Sequence, residues 1–275
     1  MVTIESLETV LASIKNPVVG LDAYGVIYNE SGVFETIRTV FTYCWDHRIP
    51  ILMMTNNASQ STAFIAEKMQ RFGLPMAEDA IISSGVGLKE LPHLYQMVRD
   101  QLVYVYGFEG SKSYVIAAGG HCVDNPHDAN VIVLAAATGR TNDHDYRQVG
   151  EVLSRRPTIP ILCVNPDHYV AHDGQLSPVM GYFAHKMATE YKRSDIVWMG
   201  KPYPLFSQLV RQRLDRLGLS TQSLVFCDDN PLNNAQMVQD LGCYGVVITQ
   251  TGVYHRYADQ AIAHPRIYQM PLCKI

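Results

Sequence analysis

The residues of this chain best suited to chemistry lie in four short polar clusters, each directly after an apolar run. Asp22-Ala23-Tyr24-Gly25 follows Val18-Val19-Gly20-Leu21, and Thr55-Asn56-Asn57 follows Ile51-Leu52-Met53-Met54. Gly200-Lys201-Pro202 follows Ile196-Val197-Trp198-Met199, and Asp228-Asp229-Asn230 follows Leu224-Val225-Phe226-Cys227. An aspartate, a hydroxyl beside amide donors, a lysine and a late acidic pair are what phosphoryl transfer to a carboxylate requires. A carboxylate can attack phosphorus and form an acyl phosphate. Thr55, backbone N–H groups and Lys201 can hold the charged phosphoryl oxygens. Gathered carboxylates would repel a phosphate without a cation between them. Mg²⁺ suits that place, preferring one or two protein carboxylates, waters and a substrate oxygen. Each cluster alone has a plainer reading. Asp22 to Gly25 is also a strand-to-turn exit, Thr55-Asn56-Asn57 a turn or helix cap, and Lys201 a solvated side chain. Asn230 before Pro231 predicts a helix N-cap with proline at the first helical position, whatever the function.

The elements that must position these clusters are legible as a pattern. Short apolar runs alternate with amphipathic segments, as in a parallel sheet with helices on its faces. Strands are expected at Pro17–Leu21, Ile49–Met54, Val131–Ala135, Pro160–Val164, Asp195–Met199, Ser223–Cys227 and Tyr244–Ile248. Phe34, Ile37, Val40, Phe41, Cys44 and Trp45 recur at helical steps, as do Phe206, Leu209, Val210 and Leu214. In an open parallel sheet the carboxyl ends of the strands near the switch in strand order form the ligand crevice. The fold class is therefore α/β, with the clusters along one edge of the sheet.

Composition narrows the function classes. Hydrophobic residues at 47% and charged residues at 17% describe an ordinary globular protein of 275 residues, long enough for two domains. A net charge of −4 without a basic run argues against a nucleic-acid or anionic-membrane binder. No apolar stretch is long enough for a membrane span, and Glu5, Glu8 and Lys15 interrupt any signal-peptide core. The six scattered cysteines lack metal-ligand or redox spacing and read as free thiols of a reducing cytoplasm. The oligomeric state stays open, a homodimer included.

In order and spacing, the four clusters resemble the four motifs of the haloacid dehalogenase superfamily, most closely its class IIA, the NagD-like and 4-nitrophenylphosphatase-like hydrolases. The resemblance spans Asp22 to about Thr249. It implies a Rossmann-like parallel-sheet core over residues 1–87 and 179–275, with an α/β cap of the C2 type inserted at 88–178. Only about 30 residues separate Gly25 from Thr55, room for one hairpin and a helix, whereas more than 140 separate Asn57 from Lys201. Within that gap Asn165-Pro166-Asp167 resembles the Asn-Pro-Asp stretch of class IIA. Pro178-Val179-Met180-Gly181 resembles the return to the core, and Ile81–Gly85 the entry to the cap. By motif, Asp22 is implied as nucleophile and Mg²⁺ ligand, with the Tyr24 carbonyl as a second ligand. Thr55 and Lys201 are implied as the phosphoryl grip, and Asp228 as completing the metal site with Asp229 or Asn233 behind it. Gly25, Asn56, Asn57 and Asp167 are expected against the substrate.

The match departs from the family pattern at three positions. Tyr24 stands where superfamily phosphatases usually carry an aspartate that protonates the leaving alcohol. A phenol with a pKa of about 10 suits that task poorly near neutral pH. Cys227 replaces a glycine, and Asn233 an aspartate, in the last motif. Asp-Ala-Tyr-Gly also resembles the first motif of the metal-free 2-haloacid dehalogenases, but their cap lies between the first two motifs, where this chain has no room. His168, His172 and Asp173 read as polar loop residues more readily than as a second metal site. The expected function is a Mg²⁺-dependent phosphatase for a small phosphorylated metabolite. The alternative is a catalytically weak or inactive relative binding a phosphorylated ligand or protein partner.

Overall fold

A computed structural model of the chain describes residues 1–137, 143–172 and 174–275. Seven parallel strands form the main sheet, in the order Val2–Thr3, Ile267–Met270, Tyr244–Ile248, Leu224–Asp228, Val18–Leu21, Ile51–Thr55, Ile81–Ser83. The strand order reverses between Val18–Leu21 and Leu224–Asp228, placing the switch point between the first and last polar clusters. Leu21 is in register with both Cys227 and Met53. Asp22, Asp228 and Thr55 therefore emerge side by side at the carboxyl edge.

The central strands are apolar along their whole length because both faces are covered. Alternate side chains divide between two cores. Val19, Leu21, Met53, Val225 and Cys227 pack with Ile37, Val40 and Phe41 of the helix Glu35–Asp46. Val18, Leu52, Met54, Leu224 and Phe226 pack with Phe206, Leu209, Val210 and Leu214 of the helix Pro204–Arg216. Trp45, on the expected helical stripe, is instead 47% exposed, with an edge contact to Phe41.

A second parallel sheet has the order Val197–Trp198, Ile161–Cys163, Val131–Leu134, Leu102–Tyr106, His121–Val123. Val103, Val105, Val133 and Leu162 belong to the same apolar cluster as Leu52 and Phe226, so the two sheets share a core. Its other face packs with Met180, Ala184 and Met187 of the helix Met180–Glu190. Val197 and Trp198 pair with Leu162 and Cys163, so this sheet reaches beyond residue 178, the expected end of the inserted lobe. Ile81–Ser83, expected at the entry to that lobe, is an edge strand of the main sheet. The strands Leu102–Tyr106, His121–Val123 and Ile267–Met270 carry no strong local signal and are recruited by neighbours distant in sequence. A hairpin of Tyr28–Asn29 and Gly32–Val33 precedes the first long helix, as the short gap requires. A second hairpin, Tyr169–His172 with Gln175–Pro178, flanks the cleft; Asp173 lies outside the described residues.

Candidate active site

Asp22 follows Leu21 at the end of its strand, and its amide donates to the Cys227 carbonyl at 2.9 Å. Asp228 ends the neighbouring strand and is 1% exposed. Lys201 Nζ lies between them, 2.7 Å from Asp22 Oδ1 and 2.6 Å from Asp228 Oδ2, and is itself 1% exposed. A buried ammonium is sustained only by such pairing. Burial works against its charge, but Asp22 and Asp228 outweigh that and raise its pKa. Two of its three donors are used here, leaving one for an incoming anion.

The loop bearing Lys201 is held by Asn56. Lys201 N donates to Asn56 Oδ1 at 2.7 Å, while Asn56 Nδ2 donates to the Lys201 carbonyl and to Asp167 Oδ1, both at 2.8 Å. All three polar positions of that amide are spent on protein, and Asn56, expected against the substrate, does not line the cleft. Gly25, expected there too, lines the neighbouring pocket beside Tyr24 instead. It adopts φ +95°, and a Cβ there would stand 2.9 Å from Asp229 Cγ, so its role is to make room for Asp229. Thr55, Asn57 and Asp167 do line the cleft, with Asp22, Tyr24, Lys201, Asp228, Asp229 and Asn233. The cap of the helix after Thr55 is Ser61, which leaves the Thr55-Asn56-Asn57 segment available to the site.

Asp22, Asp228 and Asp229 each offer an oxygen within 4.8 Å of the others. Three carboxylates face one lysine. Burial, with Asp228 adding repulsion against the attraction of Lys201, pushes Asp22 up to about 7. Burial, then Asp228 and Asp22, holds Asp229 well above the usual carboxylate range. Such an uncompensated set of hard oxygens fits a divalent cation. Asn233 supports it: Nδ2 donates to both Asp228 oxygens at 3.2 and 3.1 Å, and its buried Oδ1 has no hydrogen-bond partner. Asn230 caps the helix Pro231–Leu241 by accepting from Leu232 N, with Pro231 at its start, as the sequence requires. The Asn230 amide also donates to Asp228 Oδ1 at 2.7 Å.

Sequence reasoning missed the loop after Tyr244–Ile248. Val253 N donates to Asp229 Oδ2, and Thr251 Oγ1 donates to the Gly25 carbonyl. Gly252 has φ +59°, and a Cβ on it would lie 1.9 Å from Asp229 Oδ2. The signal was available, because this segment too follows the carboxyl end of a core strand. Tyr24 lines the cleft, but its hydroxyl donates to Glu30. His168 also lines it, with Nε2 3.0 Å from His185 Nδ1. Phe108 is 46% exposed at the cleft, whereas Tyr104 and Tyr106 of the preceding strand are buried. The cavity of about 210 Å³ suits a small molecule.

Comparison with known proteins agrees with this geometry. A family model described as haloacid dehalogenase-like hydrolase matches residues 19–121. The 5'-nucleotidase YutF of Bacillus subtilis is 23% identical over 236 residues, spanning 86% of this chain and 88% of that protein. A possible sugar phosphatase of the same superfamily from Cytophaga hutchinsonii superposes with a TM-score of 0.80 at 22% identity, covering 100% of both chains. The p-nitrophenyl phosphatase from Archaeoglobus fulgidus superposes with a TM-score of 0.75 at 20% identity, covering 92% of this chain and 96% of that one.

Proposed function

From its likeness to the haloacid dehalogenase-like hydrolases, whose family model matches residues 19–121, we propose that the chain is a Mg²⁺-dependent phosphatase acting on a small phosphorylated metabolite through an aspartyl phosphate. The observation that carries this reading is Lys201 Nζ held between Asp22 and Asp228 at the switch point of the sheet. Asp22 is the nucleophile. Its carboxylate attacks phosphorus as the ester oxygen departs, and water then cleaves the aspartyl phosphate. Lys201, with its remaining donor, and Thr55 hold the phosphoryl oxygens. Asp22, Asp228 and Asp229, with the Tyr24 carbonyl, are the candidate ligands of the cation, and Asn233 orients Asp228. When bound, the cation neutralises charge among these carboxylates and on the phosphoryl group. Asp167, with Tyr169, Val170 and Ala171 of the strand Tyr169–His172, lines the cleft, and these residues are the candidates to meet the leaving group. One relative is a 5'-nucleotidase, which supports the reaction class. The cysteines are free thiols, all buried except the partly exposed Cys122, which suits a reducing cytoplasm.

The test is hydrolysis of 4-nitrophenyl phosphate with Mg²⁺ or with EDTA, by the wild type and by Asp22→Asn. Turnover that needs the metal and vanishes in Asp22→Asn is expected, since a neutral amide cannot form the acyl phosphate. Full activity in Asp22→Asn would refute the mechanism. An inert wild type would leave the binding-protein reading in its place.

A further inference from the structure

Departure of an alcohol from phosphorus requires a proton, and position 24 offers only a phenol whose hydroxyl is turned to Glu30. The other acidic groups lining the cleft are mostly engaged. Asp22 and Asp228 hold Lys201, and Asp229 accepts from Val253 N between Gly25 and Gly252. His168 is paired with His185, and burial, His185 and Arg256 lower its pKa. Asp167 is different. Its loop is pinned by Asp167 N donating to Asn165 Oδ1 at 3.2 Å and by Gly181 N donating to the Asp167 carbonyl at 2.9 Å. A Cβ at Gly181 would lie 2.0 Å from the Pro166 carbonyl oxygen, so that close approach requires glycine. Asp167 Oδ1 accepts from Asn56, and the other carboxyl oxygen makes no hydrogen bond among the described residues.

We propose that Asp167, reaching the cleft from the second lobe, is the proton donor to the leaving oxygen in place of an acid at position 24. The inference rests on the phosphatase reading above. The Asn56 N–H on Oδ1 directs the proton to the second oxygen, the one free to meet the substrate. Burial raises the Asp167 carboxyl to about 6, against the pull of Lys201 and the Asn56 hydrogen bond, with Asp228 adding to the rise. Asp22, Tyr257 and Cys163 also interact electrostatically with it, and His168, Tyr169 and Asp229 line the same cleft. In the first half-reaction the bond from Asp22 oxygen to phosphorus forms and the ester P–O bond breaks. The Asp167 proton passes to the departing alcohol oxygen. In the second, water adds its oxygen to phosphorus, its proton returns to Asp167, and the electron pair of the broken P–O bond returns to Asp22. Asn56 holds both Asp167 and Lys201, so the proton donor and the phosphoryl grip are placed by one amide.

The experiment compares kcat/KM of the Mg²⁺-loaded full chain on 4-nitrophenyl phosphate, whose leaving group needs little protonation, and on glycerol 2-phosphate, whose leaving group needs it. Asp167→Asn is near-isosteric, and its amide oxygen can still accept from Asn56. It should lose roughly 10²- to 10⁴-fold on the alkyl ester and less than about tenfold on the aryl ester. For the wild type, alkyl ester kcat/KM should fall as pH rises above about 7, where Asp22 is already ionised and Asp167 loses its proton, and Asp167→Asn should lack that fall. Asp167→Glu should recover more alkyl ester turnover than Asp167→Asn. Tyr24→Phe should keep the wild-type ratio between the two esters. Equal losses on both esters in Asp167→Asn, or a retained alkaline fall, would overturn the assignment while leaving the phosphatase reading intact. An alkyl-selective loss in Tyr24→Phe would give the role to the phenol. A wild type inert toward both esters would remove both readings together.

Discussion

Asn56 and Lys201, 145 residues apart, are joined by a reciprocal pair of hydrogen bonds, side-chain carbonyl to backbone N–H at 2.7 Å and side-chain amide to backbone carbonyl at 2.8 Å. The arrangement resembles one rung of a β-ladder, made by a side chain. It carries the buried ammonium of Lys201 to the position where Asp22 and Asp228 can share it.

Asn56→Ala should therefore cost both stability and turnover. It leaves a buried N–H and a buried carbonyl without partners, each worth about 1–3 kcal/mol. Urea unfolding should show a loss of about 2 kcal/mol or more. The 4-nitrophenyl phosphate kcat/KM should fall at least tenfold, about 1.4 kcal/mol of barrier, as Lys201 loses its anchor. Unchanged values in both measurements would show that the loop is held by other contacts.

Gly252→Ala tests the loop missed in the sequence. An added methyl must displace Asp229, because Gly252 Cβ would lie 1.9 Å from Asp229 Oδ2. The Mg²⁺ concentration for half-maximal activity should rise tenfold or more, about 1.4 kcal/mol of binding. Gly32→Ala is the matching control, since Gly32 also has a positive φ, at +121°, but meets nothing within 4 Å. Its Mg²⁺ requirement should equal that of the wild type. Equal metal requirements in the two variants would remove Asp229 from the cation site.

Arg213 and Glu90 test stability away from the cleft. Arg213 is 6% exposed and donates to the Asp79 and Ile81 carbonyls and to Glu90 Oε1 at 2.6, 3.4 and 2.6 Å. Arg216 pairs with the other Glu90 oxygen. Arg213→Met removes the inner partner and leaves those carbonyls and part of the Glu90 charge buried. A loss of about 3 kcal/mol is expected in chemical denaturation, with kcat/KM near that of the wild type because neither residue lines the cleft. A loss below about 0.5 kcal/mol would class the pair with ordinary surface ion pairs.

The four polar clusters could be read directly from the chain because their meaning is local. An apolar run of four or five residues becomes a covered parallel strand, and the polar residues that follow it must leave at its carboxyl end. Asp22, Thr55, Lys201 and Asp228 were found in this way, as were the Asn230 cap and the two amphipathic helices. Length alone showed that more than 140 residues separate Asn57 from Lys201.

Tertiary structure decided everything that depends on a partner distant in the chain. A sequence shows that Asn56 can make hydrogen bonds, not that all of them go to Lys201 and Asp167. Gly25 and Gly252 looked like turn residues until Asp229 was seen between them. Trp198 lay beside a core motif in sequence, yet its strand belongs to the second sheet, because pairing depends on which backbone lies alongside. Hydrophobic pattern is a property of successive residues, so the chain states it by itself. The pairing of buried polar atoms is set by the register of elements more than 100 residues apart, and only the folded chain brings those atoms within 3 Å.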